Sequence, residues 1–583
     1  MPSFTKFFVF CFALLWADLS QGETVLLKNE SSIVPIQNLE LFDLHIVTIG
    51  VQQPSKILER VSFHKAVTTH VKTMDDLDEV KTSVGEMYLF VIGSQQDNRL
   101  RDWLSRSPNI QSIVCFIDRP PVAIEHADAI VYHNPKVIGD ELALIDLIWG
   151  VEPFEGILSR DFGDFDLGQG LTTAAQLRLG YPDLLQAYAY RPLQDSMDVI
   201  MKEAIDARAF PGAQLLVVHD NEVVIDKVYG HRTYEAAKPV QHQDLYDLAS
   251  ITKVSSAVPA LMYMLDQKLI NLDDPLCDHL PSFCRSDKKT ITLRQALAHN
   301  GRLQPYIVYW QAAIKKNGKF KARSFHKELS SKYVIKITDS LFLHRKYKRK
   351  IDRAIKKSDL NPEPGYVYSG LTFLLYPDLV REKLDLPIDS FLYQYYYWPL
   401  GAESLTYRPL DRFSLGDIVP TEIDTVFRNQ LVHGMVHDEA AAMLDGVSCN
   451  AGLFSNARDL AKLSAMFLNK GTYGGKRFIS EEVVQEFIRC AFCSEGNRRG
   501  LGFDKPLLAY NPRYSYVAES ASPESFGHSG FTGTFFWMDP TNKTILILLS
   551  NRVYPSRNQR SLYTLGIRPR LHQAIYDFLD HAQ

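Results

Sequence analysis

Several classes of protein are excluded by what this sequence lacks. After the first 22 residues no apolar run is long enough to cross a bilayer, so no stable membrane span is expected. A formal net charge of −4 gives no general reason to expect a nucleic-acid partner. No glycine-rich phosphate loop follows the first predicted strand, which argues against a nucleotide site. What remains is an ordinary globular composition.

Cysteine is scarce, with seven in 583 residues. Cys11 lies in an N-terminal segment with the pattern of a secretory signal, in which Lys6 precedes an apolar core, Phe7–Ala17, and small residues stand before Glu23. We therefore predict a signal peptide over residues 1–22 and a secreted or periplasmic protein. The alternative is an uncleaved anchor.

The six later cysteines could form disulfides, since export places a protein in an oxidising environment. Cys277 and Cys284 could close a small loop. Cys490 and Cys493 have the spacing of a redox or metal site, but no second Cys/His pair accompanies them. A local disulfide or two free thiols is therefore favoured over zinc, and no metal and no cofactor are predicted.

The length is too great for one hydrophobic core and predicts more than one domain. From about residue 40 to 150, β-rich runs alternate with amphipathic segments, which is typical of a mainly parallel α/β domain. The strand candidates are His45–Val51, Ala66–Val71, Met87–Gly93, Gln111–Ile117 and Ala129–Tyr132. Residues 151–191 are irregular, as expected of a linker.

A different pattern occupies residues 192–583. Hairpins are predicted at Gln214–His219 with Val223–Tyr229 and at Gly533–Met538 with Thr544–Ser550. They flank a mostly helical middle, and helices are predicted near both ends. The pattern favours an α+β domain with an antiparallel sheet flanked by helices.

The most informative motif is Ser250-Ile-Thr-Lys253, at the head of an apolar helical run. Residues at i and i+3 lie on one face of a helix, so the lysine can reach the serine hydroxyl and help a base to remove its proton. The spacing alone is weak evidence, because it also occurs at Ser3, Ser62, Ser286 and Ser324.

Two further motifs follow in order and strengthen the interpretation of Ser250. Tyr368-Ser-Gly370 lies in a turn before an apolar helix, and His528-Ser-Gly530 opens the C-terminal hairpin. Ser-x-x-Lys, Tyr-Ser-x and His-x-Gly in this order resemble the serine β-lactamase, penicillin-binding-protein and esterase superfamily, in its class C-like branch. The similarity runs from about residue 192 to the C-terminus.

This resemblance implies a role for each motif residue. Ser250 would attack the acyl carbon, and Lys253 would ease removal of its proton. Tyr368 would be the base and later protonate the leaving group. His528 stands where β-lactamases carry a lysine, and a histidine at this position is esterase-like. The oxyanion would bind between the N–H groups of Ser250 and Phe531, just after Gly530.

Two positions depart from the family pattern. Gly370 replaces an amide or acid that often holds the substrate, which puts β-lactam recognition in doubt. Asn450 stands where a subgroup of exported bacterial hydrolases often has histidine. These departures indicate altered specificity or a weakened enzyme.

In that subgroup the hydrolase domain follows part or all of a family 3 glycoside hydrolase, an N-acetylglucosaminidase-like unit. Two stretches of this sequence resemble that subgroup: Leu177-Arg-Leu-Gly-Tyr181 and Gly527-His-Ser-Gly-Phe-Thr-Gly-Thr534. Residues 40–190 would then correspond to the C-terminal α/β domain of the glycosidase. The barrel that carries the glycosidase nucleophile and acid is missing, so glycosidase activity is not expected.

We therefore predict an exported serine hydrolase that forms an acyl-enzyme, with small peptides, esters and peptidoglycan fragments as candidate substrates. The resemblance to the subgroup, whose members resemble N-acetylmuramoyl-L-alanine amidases and D-Ala carboxypeptidases, implies an amide or peptide of cell-wall origin. One alternative is a carboxylesterase, which His528 favours. The other is a catalytically silent binding or sensor protein, which Gly370 and the missing barrel favour.

Two further features remain open. His433 and His437 have the spacing of metal ligands, but no third ligand can be nominated, so a structural or pocket-lining role is favoured. Basic residues are concentrated between Lys315 and Lys357. This segment is interpreted as a solvated surface, with an electropositive rim that attracts an anionic substrate or surface as the alternative.

Overall fold

The computed structural model describes residues 23–135, 141–317 and 319–582. The predicted signal peptide lies outside these residues. The chain divides into two compact units. The α/β unit contains the described residues up to Gly180 together with 399–401 and 473–476, and the C-terminal unit contains the others. The division falls within the segment predicted as a linker.

The α/β unit is built on a six-stranded sheet in the order β1-β6-β5-β4-β2-β3. Its strands are β1 Glu23–Asn29, β2 Asp43–Ile49, β3 Val67–Val71, β4 Glu86–Ile92, β5 Gln111–Ile117 and β6 Ala129–Asn134. The five strands β2–β6 run parallel, and β1 pairs antiparallel with β6 at the edge. The helices of this unit are Pro54–His64, Met74–Asp78, Asp97–Ser105 and Glu141–Ile148.

Both faces of this sheet are buried. Along β4, Met87, Leu89 and Val91 enter one hydrophobic core, while Tyr88 and Phe90 enter the other. Because helices cover both faces, the strands read as nearly continuous apolar runs rather than as an alternating pattern. The predicted α/β architecture is confirmed.

The C-terminal unit contains an antiparallel five-stranded sheet in the order β19-β20-β21-β7-β8. These strands are β7 Gly212–His219, β8 Glu222–Gly230, β19 Phe526–Ser529, β20 Phe535–Asp539 and β21 Thr544–Ser550. The terminal helices Arg191–Asp206 and Ile567–Ala582 share a core with it, and the buried helix Ala457–Leu468 also contacts it. The predicted α+β architecture is therefore confirmed.

Short strands and helices fill the rest of this unit. The strands are β9 Tyr246–Asp247, β10 Phe325–His326, β11 Tyr333–Thr338, β12 Leu341–His344, β13 Thr406–Tyr407, β14 Glu422–Asp424, β15 Gln430–Val432, β16 Leu453–Ser455, β17 Thr472–Tyr473 and β18 Lys476–Arg477, of which β17 and β18 include residues of the α/β unit. The α-helices are Leu184–Ala189, Val258–Asp266, Leu276–His279, Leu293–Leu297, Lys348–Lys357, Tyr376–Leu384, Ile388–Leu392, Glu439–Ala442, Glu481–Ile488 and Ser561–Thr564.

Both short-range cysteine pairs are disulfides, Cys277–Cys284 and Cys490–Cys493. Cys115 and Cys449 are free and buried. Within the described parts of the chain, no helix combines the length and apolar character needed to cross a membrane.

Candidate active site

Ser250 lies in a tight turn directly after β9. It belongs to the short 3₁₀-helix Ala249–Ile251, whose first internal hydrogen bond runs from the Ile251 N–H to the Leu248 carbonyl. Asp247 fixes the turn, because one carboxylate oxygen accepts from the Ala249 N–H at 2.8 Å and the other from the His437 N–H at 2.7 Å. Ala249 has a positive φ of 47°, a strained conformation for a residue with a side chain. The backbone is therefore held rigidly at the predicted nucleophile.

Lys253 contacts the Ser250 hydroxyl directly. Its Nζ donates to Ser250 Oγ at 2.9 Å and to the Asn450 carbonyl at 2.9 Å. The side chain is only 3% exposed. Both partners are neutral oxygens, so the lysine brings a positive charge into a largely buried site.

Tyr368 completes the predicted group of three. It shares side-chain hydrogen bonds with Ser250 and Lys253, and Lys253 Nζ lies 5.4 Å from the centre of its ring. Burial alone would raise the pKa of this phenol, but the charges of Lys253 and Arg499, with those hydrogen bonds, hold its pKa below the usual value. The sequence motifs therefore converge on one hydroxyl, one amine and one acidified phenol.

Arg499 was not predicted from the sequence. Its guanidinium lies 5.1 Å from the Tyr368 ring centre and 5.6 Å from that of Tyr366, and the side chain is buried. Its anchor is Asp504, 3.2 Å away, whose carboxylate also pairs with Arg498. One carboxylate therefore serves two arginines, which leaves an excess of positive charge beside Tyr368. In the sequence the arginine is marked only by its position before Gly500-Leu-Gly-Phe503, a stretch that also resembles the subgroup of exported bacterial hydrolases.

His528 is buried beside Tyr368, with 6.1 Å between the ring centres. Its Nδ1 lies 2.8 Å from the Ser529 carbonyl, which can only accept, so Nδ1 carries the proton and Nε2 offers a lone pair. Burial, followed by the charges of Arg499 and Lys253, lowers the pKa of His528 well below its usual value. This histidine is neutral at pH 7, unlike the lysine that β-lactamases carry at this position.

A second histidine, His299, lies against the other side of the site and was also missed. Its ring centre is 4.6 Å from that of Tyr368, and its Nδ1 accepts from the Ser369 N–H at 3.1 Å. Burial and the charge of Arg499 lower its pKa well below the usual value. His299 belongs to none of the three sequence motifs, because it lies in a separate loop.

The loop after β19 is fixed beside the serine by hydroxyls and arginines. Thr532 Oγ1 and Thr534 Oγ1 donate to the carbonyls of Asp247 and Leu248 at 2.7 and 3.0 Å. A Cβ at Gly530 would lie 2.5 Å from the Leu248 carbonyl oxygen, so a larger residue would push the loop away.

Two buried arginines donate hydrogen bonds to main-chain carbonyls of the same loop. Arg568 donates to the carbonyl of Gly530 at 3.2 Å, and Arg552 donates to that of Phe531 at 2.5 Å. With its carbonyl engaged there, the loop brings residues 530 and 531 next to the turn of Ser250. The Phe531 side chain is 49% exposed and stacks on His437, with 5.7 Å between ring centres.

The departures from the family pattern meet in space. A Cβ at Gly370 would have only the Cβ of Asn450 within 4 Å, at 3.9 Å, so the position is open. The amide of Asn450 is engaged, since it donates to Asp438 at 3.0 Å and accepts from Ser448 Oγ at 2.7 Å. The main chain of Asn450 binds Lys253, as described above.

His433 and His437 are engaged in protein contacts. His433 Nε2 lies 2.7 Å from the Ile418 carbonyl, and His437 Nε2 lies 2.6 Å from the Glu422 carboxylate. No group of three or more metal-ligand side chains occurs in the described ranges. The structural or pocket-lining role predicted for them agrees with these contacts.

The family assignment follows from comparison with known proteins. Residues 197–567 match the family model described as Beta-lactamase. This chain belongs to the beta-lactamase family. The matched region covers more than half the sequence and contains the three motifs.

Named relatives share this region. A protein of Escherichia coli O157:H7 named "Putative D-alanyl-D-alanine carboxypeptidase" is 30% identical over 386 residues, which cover 61% of this chain and 82% of that protein. One of the same name from Salmonella typhimurium is 27% identical over 399 residues, covering 64% and 87%. A solved penicillin-binding-protein homologue from Caulobacter crescentus has 17% identity and a TM-score of 0.46, covering 68% of this chain and 98% of that one. The predicted serine hydrolase class is confirmed.

Proposed function

We propose that this protein hydrolyses an amide of a cell-wall peptide through an acyl-enzyme at Ser250. One observation carries the proposal: Lys253 Nζ lies 2.9 Å from Ser250 Oγ, and both groups hydrogen-bond to a phenol whose pKa is lowered. A phenol with a lowered pKa can act as a general base for a neighbouring serine, because it is within hydrogen-bond distance and more readily ionised.

In the acylation step the Ser250 Oγ–carbon bond forms as its proton passes to the Tyr368 phenolate. The carbonyl oxygen becomes an oxyanion that the N–H groups of Ser250 and Phe531 stabilise. When the tetrahedral intermediate collapses, the carbon–nitrogen bond breaks and Tyr368 returns the proton to the leaving amine. In deacylation a water molecule loses its proton to Tyr368 and attacks the ester carbon. The Ser250 Oγ–carbon bond then breaks, the acid is released, and Tyr368 returns the proton to Ser250 Oγ.

The positive charges of Lys253 and Arg499 support these steps by stabilising the phenolate. In the proposed cycle Tyr368 is a phenolate before attack and a neutral phenol in the tetrahedral intermediate. The two cations therefore stabilise Tyr368 most before attack. Neutral His528 would contribute an acceptor at Nε2 to a substrate N–H or O–H rather than a second ammonium.

The substrate class is supported by the relatives whose name is that of a D-alanyl-D-alanine carboxypeptidase. We assign an exported location to this activity because the first residues have the pattern of a secretory signal. The muropeptide amide bond and the terminal D-Ala peptide bond are both amides that the mechanism would cleave.

Incubation with purified muropeptides, analysed by liquid chromatography and mass spectrometry, tests the proposal. Release of D-alanine or of a stem peptide is expected, and Ser250→Ala abolishes it. Ser62→Ala is a matched control, because Ser62 is an exposed serine with the same Ser-x-x-Lys spacing. If the enzyme is active, as shown by labelling of Ser250 and by cleavage of simpler amides, but leaves muropeptides intact, the cell-wall substrate is rejected.

A carboxylesterase is the second candidate. Neutral His528 favours it because the alcohol of an ester leaves more readily than the amine of an amide, so the step depends less on a cation at this position. Turnover of p-nitrophenyl esters without cleavage of any muropeptide is the expected result for that function. The Ser250→Ala variant separates enzyme turnover from spontaneous ester hydrolysis.

We further propose that the α/β unit corresponds to the C-terminal domain of a family 3 glycoside hydrolase and acts as a scaffold. Its support is the resemblance of the sequence motifs and the parallel sheet. The purified protein is then expected to leave p-nitrophenyl N-acetylglucosaminide intact, and hydrolysis of that glycoside would contradict the scaffold role.

A further inference from the structure

The segment from Lys315 to Lys357 is the most strongly charged part of the sequence. It contains sixteen lysines and arginines and three acidic residues, in a chain whose formal net charge is −4. The structure arranges it as the small sheet β10-β12-β11 followed by the helix Lys348–Lys357. The rest of the protein is therefore acidic, and positive charge is concentrated in one substructure.

Several of these cations lie close together in space. The Arg345 N–H donates to the Lys332 carbonyl at 2.9 Å, and Lys350 Nζ donates to the hydroxyl of Ser324, next to Arg323, at 3.2 Å. Burial and then the charges of Lys346, Arg345, Lys332 and Lys350 lower the pKa of His344. Burial and then the charges of Arg323 and Lys321 lower the pKa of Lys350. We call these six side chains the basic surface: Lys321, Arg323, Lys332, Arg345, Lys346 and Lys350.

The acids of the segment do not neutralise the basic surface. Asp352 pairs with Lys348 at 2.8 Å, and Asp339 pairs with Lys336 at 2.9 Å, so both serve lysines outside the six. Glu328 is the remaining acid, in the exposed loop after β10. A net positive field therefore extends into solvent, within a Debye length of about 8 Å at physiological salt.

Apolar side chains project from the same substructure. Leu329, in the loop between β10 and β11, is 67% exposed, and Lys327 and Lys332 flank it. Along β11, Val334 and Lys336 are exposed, while Ile335 and Ile337 are buried. The outward face of the hairpin thus combines apolar and cationic side chains.

We propose that the basic surface docks this protein on an anionic phospholipid membrane, with Leu329 entering the interface. Interfacial binding strength grows with buried apolar area and with electrostatic attraction to anionic headgroups. Long lysine and arginine stems spread over an exposed surface match a lattice of many headgroups better than a single bound anion. The exposed leucine distinguishes a lipid surface from a soluble polyanion, which offers nothing for it to enter. This docking is independent of the chemistry at Ser250.

Co-sedimentation of the full chain with vesicles tests the proposal. Vesicles of phosphatidylcholine alone are compared with vesicles containing 30% phosphatidylglycerol by moles, at about 0.1 M salt where surface charges still act. We expect binding to the anionic vesicles only, weakening as salt is raised. Absence of binding to them, or equal binding to both kinds, would overturn the proposal.

Variants locate the surface. Lys332→Gln, Arg345→Gln and Lys346→Gln together should weaken vesicle binding by about 100-fold, since each charge near an anionic membrane is worth about five-fold. Leu329→Ser should weaken it further at the same net charge. The matched control is Lys81→Gln, Lys238→Gln and Lys289→Gln, which also removes three exposed positive charges.

The control variant should bind as the unchanged protein does, and both triple variants should keep the same unfolding midpoint and the same turnover of a soluble substrate. Equal losses in the two triple variants would show that net charge alone governs binding and overturn the assignment of the surface. Unchanged vesicle binding after Leu329→Ser, with tight binding of heparin, would replace the membrane by a soluble polyanion.

Discussion

Two arginines that stack on aromatic rings, one in each unit, differ in how their charge is balanced. In the α/β unit, Arg119 lies 5.1 Å from the Phe116 ring centre, and its guanidinium meets the Asp97 carboxylate at 2.8 Å and the Ser94 carbonyl at 2.6 Å. In the C-terminal unit, Arg499 also stacks on an aromatic ring, but it shares its carboxylate with Arg498.

Lys253 extends the contrast, because its hydrogen bonds go to the Ser250 hydroxyl, the Asn450 carbonyl and the Tyr368 phenol rather than to a carboxylate. Arg119 is balanced by its own carboxylate, whereas the site around Tyr368 has an excess of cations. An excess of buried charge costs folding free energy and persists where it stabilises something else. Here the excess of cations lowers the pKa of Tyr368.

The largest effect is expected from exchanging the unbalanced lysine. Lys253→Met should lower the rate of Ser250 acylation by about 10³-fold, within the range of a lost acid–base partner. Its effect on the free energy of unfolding should be small or favourable, because no buried carboxylate loses its partner. A fluorophosphonate labelling rate and a urea unfolding curve measure the two quantities.

The matched control is Lys462→Met, in the same unit. Lys462 is 1% exposed and pairs with Asp459 at 2.8 Å, so it is a balanced lysine. Its removal leaves a buried carboxylate and should cost about 3 kcal/mol of stability, with labelling of the folded protein unchanged. The contrast between balanced and unbalanced lysines fails if the two variants lose the same property.

The next largest effect concerns Arg499→Met. Loss of this cation should raise the pKa of Tyr368, because one of the charges that oppose the burial effect is gone. The rate rises with pH as the phenol ionises, so its acidic limb should move to higher pH, and the activity lost on the acidic side should be regained in alkali. The pH dependence of labelling measures this shift.

Arg498→Met serves as control for that variant, because Arg498 binds the same carboxylate, Asp504. Arg499→Lys keeps the charge and should restore part of the acidic limb. An unchanged pH midpoint in Arg499→Met, with only a lower plateau, would mean that Arg499 holds the loop in place without acting on Tyr368.

Buried histidines provide a like-for-like test in both units. Burial lowers the pKa of His133, in the α/β unit, to about 4, and that of His572, in the C-terminal unit, to about 3. Below pH 6.5 the unfolded chain binds a proton that the folded chain refuses, so the free energy of unfolding falls as the pH falls, until each folded pKa is reached.

Each of these histidines should remove up to about 1.4 kcal/mol per pH unit, or about 2 kcal/mol between pH 6.5 and 5. Urea unfolding at pH 7 and pH 5 measures the loss. His572→Gln and His133→Gln should each reduce it by a similar amount, since glutamine does not titrate. An unaltered pH dependence in both variants would contradict the neutral, buried state of these rings.

The smallest effect is expected at the open position of the site. A Cβ at Gly370 meets no close contact, and Gly370→Asn would supply an amide at that position, so penicillin acylation of Ser250 should rise by about ten-fold, the value of one added hydrogen bond. Gly370→Ala is the control, since it adds a Cβ but no amide. Equal rates in the two variants would mean that shape rather than the amide limits β-lactam recognition.

Much of the fold could be predicted because its patterns are local. The strands β2, β4 and β5 and both hairpins follow from apolar runs, alternation and turn residues within short windows. Strand β1 was missed because its partner β6 is more than 100 residues away, and its one antiparallel edge has no local signature.

The site residues that belong to sequence motifs could be predicted. Ser250 and Lys253 lie on one turn, and the ordered Tyr368 and His528 motifs carried the family pattern. Arg499 and His299 reach Tyr368 from loops in which a single charged or imidazole side chain has no distinguishing context. Only the packed structure reveals which of the 64 lysines and arginines is buried against the phenol.

The central claim is that Ser250 is a nucleophile activated by Tyr368 and Lys253. Intact-mass analysis after incubation with a fluorophosphonate, followed by peptide mapping, tests it most directly. The account predicts one added label, on Ser250, with labelling lost in Ser250→Ala and retained in Ser62→Ala. A folded protein that stays unlabelled, or one labelled equally in Ser250→Ala, would contradict it.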